Sequence, residues 1–323
     1  MFKHTYLRLF LVCCLAFLCL PSYGQTTVNV EPGDDINAAL AEAGPGGTVV
    51  FAPGEYRAVP TSTNTRKPIR ISPDLAGITL VGAGSGFDPC TATIINGEAG
   101  FVESGLAIDS DDVHVEGFTF YKIWDEGVVI GEGYENIEIK DCWFVRMRNG
   151  MESNSSSGIT DNAALAFSQP RAVRFVNCVF ARGGDDGSDL GGASEYVFIN
   201  CDFYDWANDL MDNDGDTLML MQNCIFHAGT RDDDLKAAGT ATIETYNCVF
   251  WDPRDGAVDT GIQFTNVFEF DSLFDDPSYA NVGPAVPDFE LDFHLKADSP
   301  ALTAGVDRDG NPTFAGSQGP AQP

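Results

Sequence analysis

Short runs of alternating apolar and polar residues recur along most of this chain, and each run leads into the same phrase. The phrase reads Asp141-Cys142-Trp143-Phe144, Asn177-Cys178-Val179-Phe180, Asn200-Cys201-Asp202-Phe203, Asn223-Cys224-Ile225-Phe226 and Asn247-Cys248-Val249-Phe250. Looser copies stand at Glu116-Gly117-Phe118-Thr119-Phe120 and Asp271-Ser272-Leu273-Phe274. From Phe to Phe the steps are 24, 36, 23, 23, 24 and 24 residues. The runs ahead of the phrases, such as Ile137-Glu138-Ile139, Tyr196-Val197-Phe198-Ile199 and Ala241-Thr242-Ile243-Glu244, have the period of two that marks strands. Units of this size cannot bury an apolar face alone, so the pattern predicts a solenoid with one coil per unit. Residues at equal offsets in successive coils then stand above one another, about 4.8 Å apart.

The ends and interruptions follow from the same pattern. Residues 34–47 predict a short amphipathic helix over Asp35 to Ala43, stopped by Gly44-Pro45-Gly46-Gly47, that covers the open end of the core. Thr48 to Phe51 is the first clear strand after it. The 36-residue step contains a polar excursion at about residues 149–161, read as an inserted loop. Residues from about 275 to 323, rich in Pro, Gly, Asp and Ala, are expected to cap the far end and then fray. The repeated Asn177, Asn200, Asn223 and Asn247 fall at the bend between strands, where stacked amides satisfy the turn backbone.

Met1 to Gly24 has a basic start, an apolar run from Leu9 to Leu20 and a small-residue site at Ser22-Tyr23-Gly24. It reads as a secretory signal, because the run is too short to span a bilayer. Residues 25–323 are then one exported domain with no membrane insertion, expected as a monomer. The whole chain carries a net charge of −30, and loss of Lys3 and Arg8 with the signal makes it −32. Such a balance argues against nucleic acid as a partner and suits cations or plain solubility. Five of the six cysteines outside the signal share one repeat position. Parallel side chains do not favour a disulfide torsion, so they are expected as buried free thiols, without zinc spacing.

Two stretches carry a resemblance. Ile36-Asn37-Ala38-Ala39-Leu40, through Pro45-Gly46-Gly47-Thr48-Val49-Val50-Phe51, to Pro53-Gly54-Glu55-Tyr56 is similar to the start of many pectate-lyase-like proteins. Asp276-Pro277, Asp292-Phe293-His294-Leu295 and Ser299-Pro300-Ala301 resemble the close of bacterial members. The resemblance implies an all-β fold, a single right-handed parallel β-helix.

Equal offsets also gather carboxylates into columns. Nine residues past the repeat Phe stand Asp189, Asp212 and Asp259; Lys236 joins them if its coil carries one extra residue after Phe226. Five and six past stand Asp185 and Asp186, Asn208 and Asp209, and Arg231 and Asp232. Carboxylates this close repel one another unless a cation joins them or some are protonated. Calcium suits Asp185, Asp186, Asp189, Asp209 and Asp212, since it takes six to eight oxygen ligands in flexible geometry. The plain alternative is that these are turn and surface residues of a very acidic chain.

Asp185-Asp186-Gly187-Ser188-Asp189 resembles the calcium motif of family-nine pectate lyases, and Leu235-Lys236-Ala237-Ala238-Gly239 is the nearest match to the setting of that family's base. The resemblance implies that Asp185, Asp186 and Asp189 bind calcium and that Lys236 is the base in β-elimination on a pectate-like acidic polysaccharide. An extra coil separates them here, so Asp209 and Asp212 would have to share the metal. Arg231 and Arg254 are candidates to meet further sugar carboxylates. Asn208-Asp209-Leu210-Met211-Asp212 also resembles family-one pectate lyases, but their Arg-x-Pro-x-x-Arg stretch is missing.

Two rival readings stand beside the lyase. An inverting hydrolase resembling polygalacturonases would use Asp161, Asp185 and Asp186 with Lys236, although the Gly-His-Gly motif is absent. A non-catalytic solenoid would bind carbohydrate or stiffen an assembly. Tyr121, Tyr204, Trp206 and Trp251, just past repeat strands, are either sugar platforms or corner residues half buried against the coil.

Overall fold

A computed structural model describes residues 25–58, 68–98, 102, 104–131, 133–147, 165–168, 171–183, 189–191, 195–204, 211–213, 217–227, 235–237, 239–251, 262–265, 268–270, 288, 291, 293–295, 299–307 and 311–320. The coils wind into three parallel sheets, forming a right-handed parallel β-helix. Among the described residues the first sheet has ten strands, from Thr27–Val30 to Ile262–Thr265. The second has nine, from Gly54–Arg57 to Phe268–Phe270, and the third seven, from Arg70–Ile71 to Leu235–Ala237. Each coil visits the first, second and third sheet in turn, and every pairing in them is parallel.

The repeat phrase is the start of each second-sheet strand. Phe120, Phe144, Phe180, Phe203, Phe226 and Phe250 stack in one inward row, with centroids 5.2, 4.9, 4.8, 5.0 and 4.7 Å apart and planes within 9°. Phe144 and Phe180 remain register partners, so the 36-residue step passes without a slip. Cys142, Cys178, Cys201, Cys224 and Cys248 form a second buried row of free thiols. Burial pushes the thiols of Cys142, Cys201 and Cys248 well above their ordinary value, which keeps them protonated.

The bend between first and second sheets explains the recurrent Asn. Asp141, Asn177, Asn200, Asn223 and Asn247 all have φ between 51° and 55°. Asn and Asp enter this left-handed region at the least cost among residues with a Cβ. Asn177 donates to Asp141 Oδ1 (2.9 Å) and Asn200 to Asn177 Oδ1 (3.4 Å), so the amide ladder forms across these coils. Asn223 leaves it: its amide donates to the Val306 carbonyl and accepts from the Val306 N–H.

The N-terminal helix, α1 (Ile36–Ala43), starts at Asp35, whose carboxylate accepts from Ala38 N. It ends at Gly44, where φ is 67°. Its Ala39, Leu40 and Ala43 join the apolar core of the first coils.

The tail differs from its expected role. Its described residues lie along the flank of the coils, on the outer face of the second sheet. Leu291, Phe293, Leu295, Ala301, Ala304 and Ala315 form a second buried cluster with Trp143, Val145, Val179, Ala181, Tyr204, Ile225 and Val249. The physical reason is that these strands are apolar at consecutive positions, which marks burial on both faces. Tyr204 is accordingly buried under the tail. Tyr121 donates to Asp288, so neither Tyr204 nor Tyr121 is an open sugar platform. Trp206 lies outside the described residues.

Asp288 anchors this segment. Its carboxylate accepts from Tyr121 OH (3.0 Å), Arg182 Nη1 (2.7 Å) and Arg146 Nε. Burial alone would raise its pKa, but the bonds from Arg146 and Arg182 outweigh it and hold the carboxyl below the usual range. Arg146 and Arg182 both sit at positive φ (54° and 58°), in left-handed turns that close the second-sheet strands.

Candidate active site

Three of the residues singled out from sequence fall in one register row of the third sheet. Its backbone register runs Arg70, Ala107, Val129, Ala166, Asp189, Asp212, Lys236. This row alternates along each strand with core positions such as Ile71, Ile108, Ile130 and Leu235. Asp189 pairs with Asp212 and Asp212 with Lys236 on three neighbouring strands, Asp189–Gly191, Met211–Asn213 and Leu235–Ala237. Lys236 therefore stands in the same row although it is ten residues, not nine, past its repeat Phe. Lys236 is one strand spacing from Asp212, about 4.8 Å, and two from Asp189.

The sheet sets these relations because parallel strands lock residues one coil apart side by side. Two carboxylates next to each other raise the cost of ionising both, and a cation or an ammonium in the same row lowers it. Earlier in the row the chemistry is different. Ala107 and Val129 are small or apolar and buried, and Arg70 is bound to Asp109 at 2.7 Å. Among the described residues, acidic and basic residues are direct register partners in this row only in its last three strands.

The remaining predicted site residues, Asp185, Asp186, Asp209, Arg231 and Arg254, lie outside the described residues, as do Asp161 and Asp259. Among the described residues no three His, Cys, Asp or Glu side chains come together in a way that would hold a metal ion. No helix among them is long and apolar enough to cross a membrane.

One acidic pair escaped the sequence reading. Asp125 and Glu126 stand five and six residues past Phe120, the offsets of Asp185 and Asp186 past Phe180, and a Gly follows each pair. Glu126 is fully buried, at the start of the third-sheet strand Glu126–Ile130, and is the register partner of Ser104. The signal was available: the same offsets applied to an earlier copy of the repeat. The basic residues two past the repeat Phe, Lys122, Arg146 and Arg182, were a second missed column.

A separate charge network lies on the first sheet. His114 Nε2 and Nδ1 meet Glu116 (3.1 Å) and Glu138 (3.2 Å), and Lys140 meets Glu116 (3.4 Å) and Asp141 (3.2 Å). The hydrogen bond from His114 is the largest influence holding Glu116 below its ordinary value. These are partly solvated surface groups and face away from the core.

Solved structures share this architecture. A rhamnogalacturonan lyase is similar over 92% of this chain and 87% of its own, at 14% identity and a TM-score of 0.50. Pectate lyase Pel9A is similar over 92% and 96%, at 13% identity and a TM-score of 0.49. A pectin methylesterase from Aspergillus niger is similar over 89% and 93%, at 15% identity and a TM-score of 0.42. No protein-family model matches the chain, and no curated protein is detectably similar to it in sequence. The likeness is one of fold: this chain has the pectate-lyase-like parallel β-helix.

Proposed function

We propose that the chain is an exported polysaccharide lyase that cleaves uronate-containing polysaccharide by β-elimination. The observation that carries this reading is the row of Asp189, Asp212 and Lys236 on neighbouring strands. The fold is one on which a rhamnogalacturonan lyase is built, but a fold hosts many activities, so the weight rests on the row.

Lys236, in its neutral form, takes the proton from C5 of the uronate. The C5–H electrons form the C4–C5 double bond, the C4–oxygen bond breaks, and the departing oxygen gains a proton from water. Asp189 and Asp212 offer hard oxygen donors in one row, which fits calcium, with Asp185, Asp186 and Asp209 as further ligands. Bound calcium would neutralise the sugar carboxylate and acidify the C5 proton. Arg231 and Arg254 orient other uronates of the chain by pairing with their carboxylates.

Lysine ordinarily titrates near about 10.4, so activity is expected to rise with pH through the alkaline range. The test is ultraviolet absorbance of unsaturated ends from polygalacturonate, rhamnogalacturonan and alginate, with calcium or chelator. The expected result is a calcium-dependent signal that falls at least about 1,000-fold in Lys236→Ala and at least about 10-fold in Asp212→Asn. Saturated reducing ends without absorbance would replace the lyase by an Asp-based hydrolase. Silence in both assays would leave a binding or structural protein.

A further inference from the structure

The outer face of the first sheet changes character along its length. Toward the N-terminus it carries His114, Glu116, Glu138, Lys140 and Arg174. Over the next coils the outward positions include Val176, Val197, Ile199, Leu218 and Leu220, all partly exposed, with the exposed Glu195 beside Leu218 and Gln222 donating to the Val306 carbonyl, and then Tyr246, which is 39% exposed. Register puts them in rows: Arg174, Val197, Leu220 and Glu244 form one, and Val176, Ile199, Gln222 and Tyr246 the next. A patch of this kind on a chain of net charge −30 is a candidate contact surface.

The order of charges points to what that surface contacts. The first row reads positive, apolar, apolar, negative. A copy turned end for end about a two-fold axis along the strands lays this row on its own reverse. Arg174, 3.9 Å from Glu138 of its own chain, then faces Glu244 of the second copy, which accepts from its own Tyr246 OH, and Val197 faces Leu220, each contact occurring twice. Val176 meets Tyr246 in the neighbouring row. We propose that this face joins two copies of the chain into an antiparallel dimer, in place of the monomer expected from sequence.

The size of the face sets the strength. Four strands at about 4.8 Å, each about 17 Å long, cover roughly 320 Å² per copy. One further coil on each side brings the total for both copies to about 1,000 Å², the lower limit of specific interfaces. An interface at that limit is expected to be weak and reversible, so the dimer is sought at roughly 10–100 µM.

The test is sedimentation equilibrium of the mature chain across that range at physiological salt. The wild type is expected to dimerise, and Leu220→Asp to weaken association at least about 10-fold. Arg174→Glu is expected to weaken it about 5-fold or more, and the double variant Arg174→Glu/Glu244→Arg to restore it to within about 3-fold. Arg57→Glu, which makes the same net-charge change at a side chain 73% exposed elsewhere, is expected to leave it unchanged. A wild type that stays monomeric throughout overturns the proposal. So does a dimer indifferent to Leu220→Asp, or a double variant no better than Arg174→Glu alone.

Discussion

Replacing Asp288 by Asn isolates the contact that holds the tail to the coils. Asp288 is 9% exposed and binds two guanidinium groups of unequal burial, Arg182 at 5% and Arg146 at 39%. Removing a carboxylate from a buried pair costs about 3–5 kcal/mol, whereas exposed pairs contribute about 0–1 kcal/mol. Arg182 falls in the first class and Arg146 in the second. Since Arg146 keeps its access to water, the lower end applies, and the expected loss is about 3 kcal/mol. That corresponds to roughly 100-fold in the equilibrium for lifting the tail away. Hydrogen exchange reads it at the Val306 and Gly316 amides, which bond to Asn223 when the tail is docked. Both should exchange about 100-fold faster in Asp288→Asn and less than about 5-fold faster in Arg146→Ala. The pH dependence carries a definite sign. A carboxyl held below its ordinary value contributes stability above about pH 4, which is lost as pH falls through the lowered value. Wild-type protection should fall on that acid limb, and the Asn variant should lack the step. Exchange within 2-fold of wild type at both amides would refute the reasoning, because it would mean that Asp288 does not hold the tail.

Two further outcomes test the core. Phe203→Ala removes a ring stacked at 4.8 Å on Phe180 and 5.0 Å on Phe226, and is expected to cost about 3–5 kcal/mol in urea unfolding. Among the cysteines of residues 25–323, a thiol reagent should find one fast group in the native protein, Cys90, and five more after denaturation. Rapid modification of a second thiol would contradict the closed sulfur row.

The sequence made much of this legible because neighbouring coils repeat one another. Phe-to-Phe steps translated directly into stacked rings, and recurrent Asn into left-handed bends with φ near 53°. Counting nine residues past the repeat Phe located Asp189 and Asp212 in one row, and the extra residue before Lys236 kept that residue in register. The same counting, carried back to Phe120, would have found Asp125 and Glu126. What was left unread was the outward side of the second sheet. Trp143, Val145, Val179 and Ala181 flank inward Phe residues, and three consecutive apolar positions signal a strand covered on both faces.

No period announces what does the covering. Asp288 meets Arg182 from 106 residues away and Arg146 from 142, contacts made once and by a segment outside the repeat. Periodicity, by itself, determined the parallel β-helix, its core rows and its bends, since each of those contacts joins residues one coil apart and recurs. Tertiary structure alone decided that the tail lies along the second sheet and that its single carboxylate gathers Tyr121, Arg146 and Arg182. Such a contact depends on the shapes and charges of surfaces that meet only after the coils have formed.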